Sequence, residues 1–251
     1  MHIPKTAGMT LQQLIRWRYP DPEERHLVYS QDKVEAGFED RDSLKIVMGH
    51  FRWGYHQFSD RPALYYTFLR EPLSHVISHY QYTFDYPEKF RNLPEQYDLL
   101  AFAEGPYGYN LQTRFIAGVN DMKGREREIV QRAKEHLVRY VEVLGLVERF
   151  DESLLLMKEP LGLKRIYYQT QNEGKARKKF TPSAEELEKL KEINKYDLEL
   201  YEFGKQLFEA QLNKNRDLAE RTRQFRLRNH WFWKLNPAYT RLKVALGLAK
   251  S

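Results

Sequence analysis

The chain contains no cysteine, no Asn-x-Ser/Thr sequence and no long apolar run. Without cysteine, neither disulfide bonds nor thiolate metal sites can form. A membrane-spanning helix needs about 20 consecutive apolar residues, and no stretch of this sequence approaches that length. We also recognise no secretory signal peptide. A disulfide scaffold, a zinc-thiolate centre and an integral membrane position are therefore not expected.

The composition is that of a soluble globular protein with a basic surface. Of the 251 residues, 41% are hydrophobic and 14% aromatic, enough to fill a core, and 30% are charged. This length predicts one domain, or one domain plus a tail. The net charge of +6 indicates an anionic partner, but a phosphorylated nucleotide, an acidic glycan, a nucleic acid and a membrane surface would each fit.

The first ten residues, Met-His-Ile-Pro-Lys-Thr-Ala-Gly-Met-Thr, carry the strongest local pattern. An apolar start, a turn over residues 4–8 and an apolar-periodic run from Met9 predict strand, tight loop and helix. The free N–H groups and the dipole of a helix start favour an anion, and Lys5 adds a positive charge. The order differs from a nucleotide-triphosphate loop, in which Lys follows the second Gly. An ordinary helix N-terminus with a chance lysine is the alternative interpretation.

Three segments resemble the sulfotransferase 2 family, which includes heparan sulfate 2-O-sulfotransferases and many bacterial relatives. Residues 2–11 resemble its 5′-phosphosulfate loop. Residues 68–80, Phe-Leu-Arg-Glu-Pro-Leu-Ser-His-Val-Ile-Ser-His-Tyr, resemble its 3′-phosphate block, with Arg70 and then Ser78 eight positions later. Residues 49–56 resemble its Gly-His block, and weaker likeness continues to about Leu212.

The resemblance implies transfer of a sulfuryl group from 3′-phosphoadenosine 5′-phosphosulfate (PAPS), as co-substrate, to an acceptor hydroxyl, in our prediction a saccharide hydroxyl. His50 is the implied base, because a neutral imidazole accepts a proton near neutral pH. Lys5 meets the charge on the leaving phosphate, and Arg70 offers a planar fork for the 3′-phosphate. The predicted catalytic residues are His50 and Lys5. The predicted donor-binding residues are Lys5, Thr6, Ala7, Gly8, Met9, Thr10, Arg70 and Ser78. The donor is already activated, so no metal is predicted.

The fold predicted on this basis is a three-layer P-loop-type α/β domain, with a mainly parallel sheet and helices on both faces. Strands are predicted at 44–48, 63–69, 141–147 and 165–168, and helices at 9–18, from Pro72 onward, at 125–140 and at 183–212. The acceptor is expected to enter past residues 51–60 and 85–108. We predict a sulfotransferase domain over residues 1–212. Residues 213–251 are predicted to form a basic, aromatic helical tail that packs on the body or touches a membrane surface or the acceptor.

Each predicted side chain has an ordinary alternative. Lys5 could be a solvated charge, His50 could bond a backbone carbonyl, Arg70 could pair with Glu71, and Ser78 could bond back to its own helical turn. Arg114 could serve in a structural ion pair. A basic loop at 172–179 could be solvated or could reach the 3′-phosphate or adenine.

The same residues are compatible with other functions. Met9 stands where the family more often has Ser or Thr, so a non-catalytic relative that binds an anionic glycan or nucleotide is the alternative function. His75 and His79, four apart on one helix face, are compatible with a metal pair, but no Glu stands beside the first His. A P-loop kinase lacks its Gly-Lys-Ser/Thr order. We predict no nucleic-acid partner, because only charge and the aromatic tail suggest one.

The resemblance also implies where the protein is located and whether its N-terminus is truncated. Animal members usually carry one N-terminal membrane helix, and this chain shows none, so we expect a bacterial, cytoplasmic enzyme. Only three residues precede Pro4 where the family has a longer strand, which suggests a truncated start. The sequence names neither the acceptor nor the oligomeric state.

Overall fold

The structure is a computed structural model that describes residues 1–28, 43–90, 93, 97–168 and 180–245, the side chains of 236–245 excepted. The basic loop at 172–179 therefore lies outside the described residues. The α-helices are α1 (Gly8–Arg18), α2 (Pro72–Asp85), α3 (Leu99–Glu104), α4 (Leu111–Ala117), α5 (Glu126–Arg139), α6 (Phe150–Lys158), α7 (Ala184–Ile193), α8 (Lys195–Asn213) and α9 (Leu218–Ala245). The strands are β1 (Arg25–Val28), β2 (Ile46–Gly49), β3 (Tyr65–Leu69) and β4 (Val141–Leu146).

The described strands form two parallel pairs, β1 with β2 and β3 with β4. The N-terminal residues join the pairs: the amino group of Met1 donates to Tyr66 O (3.2 Å) and His2 N donates to Gly49 O (2.9 Å). The strand predicted there is nevertheless wrong, because these residues form no regular ladder. Pro4 has no N–H to continue one, and Lys5 turns the chain away with a φ of 66°.

The β3–β4 pair is covered by helices on both faces. Leu69, Leu144 and Leu146 pack in a core cluster with residues of α4, α5 and α8. The intervening Phe68 and Val143 pack in a second cluster with residues of α1, α6 and α9. This division follows from the alternation of side chains along a strand. Both pairs of strands are thus parallel, as predicted, and α-helices account for most of the remaining core.

Four elements converge on one edge of these strands. His50 follows the last residue of β2, Arg70 follows the last residue of β3, and residues 4–7 lead into α1. α2 begins at Pro72, a favoured first position, and its N-terminus is capped by the side chain of Glu71. Ligands of open α/β folds bind at the carboxyl ends of the strands, so the topology places the predicted residues where a ligand site is expected.

Two predicted elements differ from the observed ones. Residues 165–168 form no strand, because the Tyr168 backbone N–H and carbonyl bond the side-chain amide of Asn229 (2.9 and 3.0 Å) rather than a neighbouring strand. The predicted helix at 183–212 begins with the expected capping box of Ser183 and Glu186. It is broken at Asn194 into α7 and α8.

The first half of α9 packs on the body. Phe225 is buried, Phe232 stacks on Tyr167 with ring centroids 4.7 Å apart, and Arg226 pairs with Asp151 at 2.6 Å. Trp231 remains exposed, so contact of the tail with a membrane surface stays a prediction. Among the described helices, none is both long enough and apolar enough to cross a membrane.

Candidate functional site

The loop before α1 is held in an unusual backbone conformation. Lys5 and Ala7 have φ values of 66° and 63°, a left-handed region that residues with a Cβ seldom adopt. The buried Thr6 hydroxyl donates to Ile3 O at 2.7 Å and closes the turn. The residue before α1 is Ala7, whose methyl side chain cannot cap the helix, and residues 4–7 lead directly into the N–H groups of the first turn. Strain of this kind is concentrated at functional sites.

The remaining loop residues differ in what they can offer a ligand. A Cβ at Gly8 would lie 1.9 Å from the His2 ring, so this position requires glycine. Met9 is 56% exposed, whereas Thr10 is buried. Because the Thr6 hydroxyl is already bonded to Ile3, the loop can meet an anion mainly with backbone N–H groups and Lys5.

The Lys5 ammonium is partly withdrawn from water. Its Nζ lies 4.0 Å above the centre of the Tyr82 ring, and burial, followed by the charge of Arg70, lowers its pKa to about 8. Asp85 offsets this only in part. A desolvated cation near a second cation favours an anionic ligand, because the ligand charge compensates both. The solvated-charge alternative for Lys5 is therefore not what the structure shows.

The Arg70 guanidinium lies against the same loop. Its Nη1 donates to Lys5 O at 3.1 Å, joining residues 65 positions apart. Within the described part of the chain no carboxylate forms an ion pair with Arg70. Glu71, the alternative partner, instead accepts from Leu73 N and Ser74 N at the start of α2. Burial lowers the pKa of Arg70, partly offset by Glu148 and Glu71, and the guanidinium stays charged at neutral pH.

His50 is held in one tautomer by the backbone. Its Nδ1 lies 3.2 Å from His2 O. Because a carbonyl oxygen only accepts, Nδ1 carries the proton and Nε2 keeps its lone pair. Burial lowers the pKa of His50 below the ordinary 6.5, and the charge of Lys89 adds to this. The backbone carbonyl foreseen as an alternative thus occupies one ring nitrogen and leaves the other able to accept a proton.

One face of α2 is turned toward the loop. His75, Ser78 and Tyr82 are spaced three and four residues apart, so they share a helix face. His75 Nε2 donates to Pro4 O at 2.8 Å, while Tyr82 lies under Lys5. Ser78, between them, is half-buried, and its hydroxyl bonds no described residue, its own helical turn included. The helix geometry therefore aims Ser78 at the loop.

His75 and His79, whose spacing is compatible with a metal pair, instead contact the backbone of the loop and aromatic rings. The rings of His75 and His79 lie 6.1 Å apart, and burial lowers the pKa of His75 to about 4. His79 packs edge-on against Phe90 and Phe102. No group of three metal-ligating side chains is found where the structure describes the chain.

Sequence reasoning missed two residues beside the Lys5 ammonium, Tyr82 and Lys89. Lys89 donates from Nζ to the Tyr82 hydroxyl at 2.8 Å, so that ring lies near two ammonium groups. Tyr82 could have been found from its position four residues after Ser78 on α2. Lys89 could not, because it follows the end of α2 in a short 3₁₀ helix, Pro87–Lys89, inside a segment without periodicity.

A cavity of about 360 Å³ lies elsewhere, between β2 and β3. Its walls include Met1, His2, Tyr55 and Tyr65, but not Lys5, His50, Arg70 or Ser78. The candidate site is therefore the cationic cluster at the loop, defined here as Lys5, His50, Arg70, Ser78 and Lys89, and not this cavity.

The comparisons with known proteins identify the family of the chain. The family model for galactose-3-O-sulfotransferases matches residues 14–235, a range that includes His50, Arg70 and Ser78 but not the loop. No curated protein matches the chain. Carbohydrate sulfotransfer, the general activity that the resemblance implied, is confirmed at the level of the family. Since the match spans most of the 251 residues, this chain belongs to the galactose-3-O-sulfotransferase family and is a carbohydrate sulfotransferase by family membership.

Proposed function

We propose that the protein transfers the sulfuryl group of PAPS to a saccharide hydroxyl by in-line attack at the cationic cluster. The acceptor oxygen forms a bond to sulfur as the bond between sulfur and the 5′-phosphate oxygen breaks. The acceptor proton passes to His50 Nε2, and adenosine 3′,5′-bisphosphate leaves. The observation that carries the proposal is the convergence of Lys5, Arg70 and a neutral His50 at the loop before α1.

The donor would be bound through its two phosphate groups. Lys5 and the backbone of Thr6, Ala7, Gly8, Met9 and Thr10 take the 5′ side, where the N-terminus of α1 adds its dipole. Arg70 and Ser78 take the 3′-phosphate. Lys5 stabilises the charge that develops on the leaving phosphate oxygen, and no step requires a metal. We also propose the three-layer P-loop-type fold, since helices cover both faces of β3–β4.

The acceptor class is proposed from the family name and from the sequence resemblance. The matched family is named for the 3-hydroxyl of galactose, so a galactoside is the first acceptor to test. The likeness of the loop to the sulfotransferase 2 family, which includes heparan sulfate 2-O-sulfotransferases, makes heparan sulfate the second. Both would place a neutral hydroxyl before His50, and the cationic surroundings favour an anionic donor in either case.

The test combines binding with transfer. Adenosine 3′,5′-bisphosphate should bind the protein at micromolar concentration by calorimetry, and labelled PAPS should transfer its sulfuryl group to a member of a galactoside and glycan panel. Absence of bisphosphate binding would contradict the proposed donor. Binding without transfer to any acceptor would favour the alternative, a relative that binds nucleotide or anionic glycan without turnover.

The pH dependence of kcat/KM for the donor should be asymmetric. Lys5 must be protonated to bind phosphate, and its lowered pKa of about 8 makes activity fall as the pH rises through that value. His50 must be unprotonated, and its pKa lies below 6.5, so activity persists below the ordinary histidine range. The pKa of Lys89 is raised, so this residue stays charged through the alkaline limb.

The matched variant for this profile is Lys5→Arg, whose guanidinium keeps its charge. It should move the alkaline limb upward while leaving the acid limb in place. An alkaline limb near pH 8 that persists in Lys5→Arg would assign that ionisation to another group.

A further inference from the structure

Two segments that the proposed reaction does not use meet behind the cationic cluster. The Asn110 side-chain oxygen accepts from Tyr196 N and Asp197 N, both at 3.0 Å, and so caps the start of α8. In return the Asn194 side-chain oxygen accepts from Asn110 N at 2.9 Å. All these groups are buried, so the start of α4 is fixed on the start of α8.

Asp197 extends this connection along α4. It is 1% exposed and accepts from Thr113 N and Oγ1 at 2.7 Å each, and from Gln112 N at 3.1 Å. A buried carboxylate with several N–H and O–H donors forms a strong, directional anchor. Burial raises the pKa of Asp197, and the hydrogen bonds of Thr113 and Gln112 counter it. The Gln112 backbone is therefore held in place from α8.

The Gln112 side chain then reaches Arg70. Its Oε1 accepts from Arg70 N at 2.9 Å, and its Nε2 donates to Arg70 O at 2.8 Å. One primary amide thus satisfies both backbone groups of the residue that follows β3, as a neighbouring strand would. Gln112 is 1% exposed, so water does not compete for these bonds.

We propose that Gln112 is a positioning residue that sets the direction in which the Arg70 side chain leaves the end of β3, and with it the affinity for the 3′-phosphate of the donor. The inference rests on the proposed function in one respect, the role of Arg70 as the 3′-phosphate ligand. The chain of contacts runs from α8 through Asp197 and Gln112 to Arg70. Through these contacts, α4 and α8 would influence donor binding although neither helix touches the donor.

The connection between β3 and α2 is also held by hydrogen bonds that do not involve Gln112. The effect of Gln112 on Arg70 can therefore be tested apart from its effect on folding. Glu71 N donates to Glu148 Oε1 at 2.9 Å, and the Glu71 carboxylate caps α2. Loss of the Gln112 amide would therefore leave the β3–α2 connection in place. It would release the Arg70 peptide, and a long side chain on a freed backbone loses more entropy when it binds a phosphate.

The chain offers a matched control for the same chemistry. Gln211 accepts from Leu144 N at 3.1 Å and donates to Leu144 O at 3.0 Å. It grips a residue within β4 whose side chain is apolar and buried. Gln112→Met and Gln211→Met therefore remove equivalent two-point contacts, one beneath a proposed ligand residue and one remote from it.

The experiment measures binding of adenosine 3′,5′-bisphosphate and adenosine 5′-monophosphate by calorimetry to the full chain and both variants. Gln112→Met should weaken bisphosphate binding about tenfold, equal to about 1.4 kcal/mol, and leave monophosphate binding within about twofold. Gln211→Met should lower the melting temperature as much as Gln112→Met does. It should leave the preference for the bisphosphate over the monophosphate unchanged. Equal weakening of both ligands by Gln112→Met, or the same loss of preference in Gln211→Met, would overturn the inference.

Two further variants keep the outcome decisive. Gln112→Glu retains an acceptor for Arg70 N but no donor for Arg70 O, and should lose part of the preference; it decides the question if Gln112→Met does not fold. Arg70→Ala should abolish the preference. A wild-type protein without any preference for the bisphosphate would contradict the proposed role of Arg70. A preference lost in Arg70→Ala but kept in both Gln112 variants would overturn only the role of Gln112.

Discussion

Replacement of His50 by alanine is expected to lower kcat by about 10²–10⁴, the usual contribution of a general base, without loss of donor binding. His50 Nε2 is the ring nitrogen left with a lone pair by the bond of Nδ1 to His2 O, and the lowered pKa keeps the ring neutral at pH 7. The measurement is a single-turnover transfer rate at saturating donor, together with calorimetric affinity for adenosine 3′,5′-bisphosphate. That affinity should stay within about threefold.

His56→Ala is the control for this variant. His56 follows the same strand six residues later, but its ring bonds the Tyr65 hydroxyl at 2.8 Å, away from the loop. Its replacement should leave the transfer rate near that of the wild type. Turnover retained in His50→Ala would place the base elsewhere. Loss of bisphosphate affinity in His50→Ala would instead show that His50 acts by holding the His2 carbonyl and the loop that follows.

The sequence predicted the elements whose signals are local. β2, β3 and β4 are compact apolar runs, and α1 and α2 begin at a glycine and a proline that follow recognisable turns. The residues that directly follow β2 and β3, His50 and Arg70, were therefore placed correctly. The carboxyl ends of parallel strands meet at one edge, so the convergence of these two residues on one side was also foreseeable.

What the sequence could not show are contacts between distant polar side chains and backbone. The apolar pattern at 165–168 is typical of a strand, but the Tyr168 backbone is bonded by Asn229, 61 residues away. The helical pattern at 183–212 is continuous, but Asn110 takes the N–H groups of Tyr196 and Asp197, and a new helix begins there. Neither Asn229 nor Asn110 lies within the short stretch of sequence from which a strand or a helix is predicted.

The same limit applies within the site. The sequence suggests an ion pair for Arg114, yet its guanidinium donates to the carbonyl oxygens of Tyr109, Asn120 and Pro106. His75 was considered for a metal, yet it bonds the Pro4 carbonyl. Backbone carbonyls occur at every residue, so no residue pattern marks which of them a buried side chain will find.

Replacement of Lys5 by alanine is expected to lower kcat by about 10²–10³, as the loss of a charge aimed at a leaving oxygen does, and to weaken bisphosphate binding as well. Lys89→Ala is the matched control, because Lys89 is the exposed member of the cluster and has no part in the proposed reaction, yet it lies 5.3 Å from the centre of the same Tyr82 ring. If the positive charges act only through their summed electrostatic potential, Lys5→Ala and Lys89→Ala should lose kcat to a similar degree. If Lys5 meets the leaving phosphate, only Lys5→Ala should lose kcat at saturating donor.

Loss of the Lys5 charge, through a rise in pH or through mutation, should lower activity without lowering the stability of the ligand-free protein. The lowered pKa of Lys5 means that its charged form is disfavoured in the folded protein, so stability rises as the pH increases through about 8 and the amine loses its proton. Alanine at the same left-handed position removes the charge and keeps the backbone requirement. Lys5→Ala without ligand should therefore melt no lower than the wild type at pH 7, while bisphosphate should raise the melting temperature of the wild type far more than that of the variant. A variant that is less stable without ligand would show that Lys5 supports the fold and would contradict its role as a cation held ready for phosphate.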